Sequence, residues 1–266
     1  MTTPGAAGTT GPSWWLRDAW LLAGRNVLRI LRAPHLLVMY ALIQPVMFIL
    51  LFAYVFGGAI PVPGGNYVQY LLPAVFVMIV LFTSTGAVGV GIAEDMERGV
   101  MDRFRSLPMT RSSVLLGRLL SEMLRNLVSI VVMVACGLVV GFRFHAHPGR
   151  ILLGFGLLLL LGFAFSWVAA YIGLLAGSVE AAQGMGMVWV FPFVFVSSAF
   201  VPTASMPDWL RAYADHSPVT VMIDTLRAWF AGRDAGSAAV QALAWAIGLT
   251  LVFMTLSVAR FRRTSR

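Results

Sequence analysis

The sequence predicts an all-α polytopic membrane protein of six transmembrane helices, and three observations predict it. Hydrophobic residues make up 59% of the chain and charged residues 11%, where soluble domains run near about 25% charged. Six stretches approach the roughly 20 apolar residues that one bilayer crossing needs. The 19 basic residues are all arginines, and they flank those stretches instead of forming one basic face. The positive-inside rule therefore accounts for the net charge of +8 better than nucleic-acid binding does.

Residues 1–13 are rich in Thr, Gly, Pro and Ala and read as a disordered tail. No basic segment precedes a short apolar core with a small-residue cleavage site, so the first span is expected to be retained. Residues 14–32 predict an amphipathic helix lying on the membrane surface. Arg17, Arg25, Arg29 and Arg32 fall within an arc of roughly 120°. Trp20 lies on the apolar side with Leu16, Val27 and Ile30, and tryptophan with arginine suits an interfacial helix. The alternative is a basic flank that only orients the first span.

The spans are expected at 36–56, 69–92, 122–142, 151–176, 184–201 and 238–259. The fourth carries no charge from Ile151 to Val179. The third has Glu122 and Arg125 at its start. The fifth is short and contains Pro192. Residues 14–260 are expected to form one six-span transmembrane domain, and 261–266 a basic tail. Thirteen arginines lie before span one, between spans two and three, and after span six. Five lie in the opposite loops, and Arg125 lies within a span. Both termini are therefore expected in the cytoplasm.

The loop between spans two and three is the most charged segment. Met96, Val100, Phe104 and Leu107 fall within an arc of roughly 80° on a helix, opposite Arg98, Asp102 and Arg105. Pro108 should stop that helix. Such a ridge suits a groove on a protein partner, or equally a solvated loop against headgroups. Residues 202–237 are too apolar for a free loop and too broken for a span. Pro207-Asp208-Trp209-Leu210 opens one short helix. Ser217-Pro218 opens a second, with serine as cap and proline at the first position. Two short helices dipping into the outer leaflet fit this pattern.

At this point the residues resemble a known family. Glu97-Arg98-Gly99-Val100-Met101-Asp102-Arg103-Phe104-Arg105-Ser106-Leu107-Pro108, followed by Leu116-Gly117-Arg118-Leu119-Leu120, is similar to the cytoplasmic loop of type-2 ABC transporter permeases. The daunorubicin/doxorubicin-resistance (DrrB-like) subgroup matches best. Phe191-Pro192-Phe193-Val194-Phe195-Val196-Ser197-Ser198 and Met206-Pro207-Asp208-Trp209-Leu210 resemble its fifth span and outer segment, and Ser217-Pro218-Val219-Thr220, Asp224, Arg227 and Gly232 continue the match. Asparagine is usual in the family where Ser217 stands, and glutamine where Ser129 stands.

The resemblance implies a half-permease in a bacterial plasma membrane. It would pair with a second permease subunit and bind ATP-binding cassette ATPase subunits. ATP and magnesium would sit on those ATPases, with no cofactor on this chain and no nucleic acid bound. Glu94, Glu97, Arg98, Gly99, Val100, Arg103, Phe104 and Leu107 would belong to a cytoplasmic coupling helix. Arg17, Trp20, Arg25, Arg29 and Arg32 would mark the interfacial helix. Gly86, Gly89, Phe191, Phe195, Ser197 and Ser198 would line the pathway and dimer interface. Pro207, Trp209, Pro218 and Arg227 would belong to the outer re-entrant helices. Gly86, Gly89 and Gly91 could equally serve helix packing within one subunit.

Other residues carry weaker signals. Glu122 and Arg125 could form a coupling or proton-relay pair, but their position near a span end favours a local ion pair. His145 and His147 lack further ligands nearby in sequence and read as interfacial histidines. Cys136 reads as a small buried hydrophobe. With no lysine, the chain contains no Walker A loop, whose lysine contacts the β/γ-phosphates. The residues alone leave three readings open: the permease subunit of an ATP-driven exporter of an amphipathic drug-like or lipid-like compound, an intramembrane lipid-modifying enzyme, and a proton-coupled carrier. The enzyme would need a polar cluster at membrane depth, and none is read in the spans. The resemblance favours the exporter, with no enzyme activity on this chain.

Overall fold

A computed structural model describes residues 43–55, 67–98 and 111–264, all helices and short connections. The helices are α1 (Gln44–Val55), α2 (Tyr67–Glu97), α3 (Arg111–Val140), α4 (Pro148–Leu175), α5 (Val179–Phe195), α6 (Asp208–His216), α7 (Pro218–Phe230) and α8 (Ser237–Thr264). A 3₁₀ turn, Thr203–Ser205, precedes α6. Among the described residues, four stretches are long and apolar enough to cross a membrane: Tyr67–Glu97, Gly117–Val140, Pro148–Leu175 and Ser237–Phe261. The expected first and fifth spans are represented among the described residues by the shorter helices α1 and α5.

The core forms around α2. Every residue from Leu71 to Leu81 is buried, so this half is apolar all round and sits inside a ring of other helices. Helices α1, α3, α4, α5 and α7 all pack on it, α4 most extensively, and α8 closes over α4. Small residues set the α2–α4 distance. A Cβ at Gly89 would lie 3.2 Å from the Ala169 carbonyl oxygen, and one at Gly173 would lie 2.5 Å from the Gly89 carbonyl oxygen. Backbones this close exclude side chains from the seam.

Helices α3 and α5 run opposite to α2, so two ends of the bundle can be distinguished. At the Tyr67 end, Gly141 reverses the chain after α3 with a φ of 108°, open to glycine without strain. His147 then caps α4, its Nδ1 accepting from the Gly149 N–H at 3.3 Å, with Pro148 at the first helical position. Beneath this turn Phe76, Phe142, Phe144, Phe155 and Phe230 pack as one cluster, with the Phe142–Phe144 pair edge to face at 4.9 Å. His145 N–H donates to the Phe230 carbonyl at 2.8 Å and ties the turn to the end of α7.

Three expected boundaries shift. Helix α3 begins at Arg111, three turns before the expected 122, because the charges along its first turns find partners and do not end it. Helix α5 runs from Val179 to Phe195 instead of 184–201. Ser178 caps it by accepting from Ala181 N–H, and it closes one turn after Pro192. Helix α8 continues to Thr264, so the expected tail is largely helical. The expected tail at 1–13 and the surface helix at 14–32 lie outside the described residues.

Candidate functional site: three polar stations along helix α2

An α-helix of 31 residues is about 46 Å long at about 1.5 Å per residue, and α2 meets polar partners at three levels of that length.

At its Glu97 end the acidic trio occupies the last turn of α2 rather than a separate helix. Asp95 pairs with Arg118 on α3. Gly91 makes this possible, because a Cβ there would overlap the Arg118 guanidinium. Glu94 pairs with Arg98 one turn on. Glu97 Oε1 accepts from Val179 N–H at 2.9 Å. This carboxylate thus satisfies a free N–H at the start of α5, beside the Ser178 cap. The remaining expected coupling residues, Gly99, Val100, Arg103, Phe104 and Leu107, lie outside the described residues. So do Arg17, Trp20, Arg25, Arg29 and Arg32.

The second station lies halfway along α2. Thr83 Oγ1 is 2.8 Å from Asn126 Oδ1, and Asn126 Nδ2 donates to Ser84 Oγ at 2.8 Å. Arg125 Nη2 donates to Glu122 Oε1 at 2.7 Å and to the Thr83 carbonyl at 3.2 Å. The Glu122 side chain is 7% exposed and that of Arg125 26%. Gly162 on α4 gives the cluster its space: a Cβ there would stand 3.4 Å from both Asn126 Nδ2 and Ser84 Oγ. The Glu122–Arg125 pair is the expected local ion pair, three residues apart on α3. Beyond the sequence reading, it also reaches across to the Thr83 carbonyl of α2 and joins a polar cluster between the two apolar helices. Three hydroxyl residues in a row, Thr83-Ser84-Thr85, are the sequence signal for it. An unpaired charge at such depth costs about 3 kcal/mol on insertion scales, and the pairing reduces that cost.

The third station, at the Tyr67 end, centres on Arg227 of α7. Its Nε donates to the Tyr70 carbonyl at 2.9 Å. Nη1 donates to Ser198 Oγ at 3.1 Å and Asp224 Oδ1 at 3.0 Å. Nη2 donates to the carbonyls of Ser198 at 2.9 Å and Ala199 at 3.3 Å. The guanidinium lies 3.5 Å from the centroid of the Tyr70 ring. Tyr70 Oη also donates to the Ser198 carbonyl, and Ser198 N–H donates to Thr220 Oγ1. The Ser198 and Ala199 carbonyls belong to the segment after α5, where the helix has stopped and its own ladder no longer supplies donors. Non-helical backbone at depth is stable when protein groups satisfy it, and Arg227 does this here.

The other expected residues divide by face. Gly86 is exposed, and a methyl group placed on it would have nothing within 4 Å, whereas Gly89 is buried against α4. Phe191 and Phe195 are 44% and 53% exposed and stack on one another at 5.1 Å. Ser197 and Ser198 are buried inside the subunit, Ser197 Oγ donating to the Val194 carbonyl at 2.6 Å. Pro207 stands at the N-cap of α6, whose Trp209 is exposed, and Pro218 opens α7. Ser217 occupies the N-cap position of α7, but its hydroxyl makes no capping bond and is buried without a partner. Tyr70, Thr220 and Asn126 do not stand out in the sequence, because each acts through a contact distant in the chain.

Comparison with known proteins follows this architecture. The family described as ABC-2 type transporter matches residues 17–231. The chain is 32% identical over 220 residues to the daunorubicin resistance ABC transporter permease protein DrrB1 of Streptomyces coeruleorubidus, covering 83% of this chain and 77% of that one. It is 25% identical over 245 residues to the probable doxorubicin resistance ABC transporter permease protein DrrC of Mycobacterium tuberculosis, covering 92% and 88%. It is 28% identical over 220 residues to the putative transport permease ycf38 of Pyropia yezoensis, covering 80% and 73%.

Proposed function

The chain belongs to the ABC-2 type transporter family and is a multi-pass permease subunit, and from that premise we propose that it exports an amphipathic, drug-like or lipid-like compound. The observation that carries the proposal is the match along most of the chain to permeases named for daunorubicin and doxorubicin resistance. ATP is hydrolysed by a separate ATPase subunit, which holds the nucleotide and magnesium. The absence of lysine supports this division, since a P-loop needs one.

Two permease subunits, identical or related, face each other across the pathway. Its walls are the exposed stripes of α2 and α5, with Gly86, Phe191 and Phe195. The loop that begins at Arg98 seats Val100, Phe104 and Leu107 in the ATPase, while the 14–32 helix lies on the membrane beside it. Both termini face the cytoplasm of a bacterial cell. The arginine distribution supports this orientation, as does the placement of Arg98 and of residues 176–178 at one end of the bundle.

The test is reconstitution of the permease with the ATPase encoded beside it. ATP-dependent doxorubicin movement across proteoliposomes is expected with both subunits, and neither ATP turnover nor efflux with the permease alone. ATP hydrolysis by the lone chain, free of contaminating ATPase, would overturn the division of labour. Absence of doxorubicin movement by an intact, ATP-hydrolysing complex would overturn the drug class.

A further inference from the structure

We propose that Arg125 is a cargo-contacting residue, held in position by Glu122, which recognises neutral oxygen acceptors on a flat amphipathic compound at the midpoint of the pathway. The inference rests on the export reading for why a compound passes this face of α2, but its test does not depend on transport.

The argument begins with unused donors. A guanidinium has five N–H groups. Arg125 Nη2 serves Glu122 and the Thr83 carbonyl, and among the described residues Nε and Nη1 have no acceptor. This contrasts with Arg227, whose three nitrogens are all engaged. The Arg125 side chain is nonetheless 26% exposed. Its bond to Thr83 holds it level with the middle of the 31-residue α2, well inside the Gly117–Val140 apolar stretch. Lipid chains offer no acceptor at that depth, and intramembrane arginines accordingly face water-filled or protein-lined space.

The surroundings indicate what enters that space. The uncovered stripe of α2 runs through Phe82, Thr83, Gly86 and Ala87, beside the Thr83 carbonyl that Arg125 holds. A side chain at Gly86 would meet nothing within 4 Å. Phe82 packs edge to face on Phe191 of α5 at 5.7 Å, which sets an aromatic wall next to the open donors. Glu122 already balances the charge of Arg125, so the site as a whole is neutral. A phosphate or carboxylate cargo would meet no excess positive charge. Quinone, ketone or ester oxygens can accept from the three free N–H groups, one on Nε and two on Nη1, without needing excess charge. Glu122, almost fully buried, fixes the guanidinium through Nη2 and leaves Nε and Nη1 without an acceptor among the described residues.

The experiment uses vesicles containing the permease with its ATPase subunit. The lone cysteine is removed by Cys136→Ala, and Gly86→Cys serves as reporter with Leu124→Cys as lipid-facing reference. A membrane-impermeant thiol reagent reads accessibility. The probes are 9,10-anthraquinone and anthracene, the same ring skeleton with and without two carbonyls. The Gly86→Cys thiol should react faster than the Leu124→Cys thiol. Anthraquinone should slow that reaction about tenfold at a concentration where anthracene does not, as one carbonyl accepting from the charged guanidinium would give. The paired substitution Glu122→Gln with Arg125→Met leaves no unpaired charge, so the protein should still fold, and it should abolish the protection. Equal protection by anthracene overturns the proposal, as does protection that survives the paired substitution or a Gly86→Cys thiol no more reactive than the reference. Lack of ATP-driven efflux alongside the expected protection would count against the export reading and leave this site standing.

Discussion

Replacing Arg227 by methionine removes the group that holds the end of α5, the start of α2 and α7 together. The arginine makes five hydrogen bonds, three of them to backbone carbonyls. Interhelical hydrogen bonds in membrane proteins average about 0.6 kcal/mol each, so five amount to about 3 kcal/mol. Stacking of the cation on Tyr70 adds about 1 kcal/mol. Methionine keeps the packing of the stem, so the loss is electrostatic, and recovered hydration of the removed charge offsets part of it. A net destabilisation of about 3 kcal/mol follows, a shift of over about a hundredfold in the folded-to-unfolded ratio. Arg227→Lys keeps the charge but cannot bridge the same acceptors, and should recover less than half. Asp224→Asn removes a half-exposed carboxylate, with a loss of about 1 kcal/mol or less. Equilibrium unfolding in mixed micelles gives the global number, and protease cleavage between residues 196 and 206 gives the local one. An Arg227→Met protein within about 1 kcal/mol of wild type, with that segment still protected, would refute the view that Arg227 replaces the helix ladder there.

Other predictions follow from the same geometry. Gly173→Ala should cost about 1–3 kcal/mol through overpacking, because its methyl would meet the Gly89 carbonyl oxygen at 2.5 Å, while Gly86→Ala should be neutral in stability. Comparable losses at both positions in thermal unfolding would contradict the assignment of Gly89 and Gly173 to the α2–α4 seam. Phe104→Asp should abolish co-purification of the ATPase subunit, or its coupling to transport, with the permease still inserted, because an unpaired charge in a buried contact costs about 3–5 kcal/mol; normal assembly and normal efflux would remove Phe104 from the contact. In a Cys136→Ala background, single cysteines at 105 and 262 should label from the cytoplasm and those at 146 and 215 from outside, and finding 105 and 215 on one side would overturn the topology.

The apolar periodicity makes α2, α4 and α8 legible, because a run of more than twenty apolar residues permits little else in a bilayer. It fails where one property is made to stand for two. Hydrophobicity puts the start of α3 at 122, beyond Arg111 and Arg118, on the premise that charges end a span. Arg118 and Arg125 are instead neutralised by Asp95 and Glu122 and lie along the helix. Hydrophobicity likewise carries α5 to residue 201, but the chain leaves the helix after Phe195 because the next carbonyls have partners elsewhere. The polar stations are only half visible. Arg125 and Arg227 stand out in any reading, whereas Tyr70, Asn126 and Thr220 look ordinary until the fold brings them within 3.1 Å or less of their partners. The glycines of α2 look alike in sequence, and only packing separates Gly86 from Gly89.

The early stop of α5 has a consequence for the surrounding lipid. Seventeen residues make a cylinder about 25 Å long, against a hydrocarbon layer of about 30 Å. The shortfall of about 5 Å falls where the chain turns through Ser197 and Ser198 toward α6. Lipids beside this helix relieve such a mismatch by thinning, at fractions of a kcal/mol per ångström. Bilayers of shorter acyl chains should fit this flank with less deformation than thick ones.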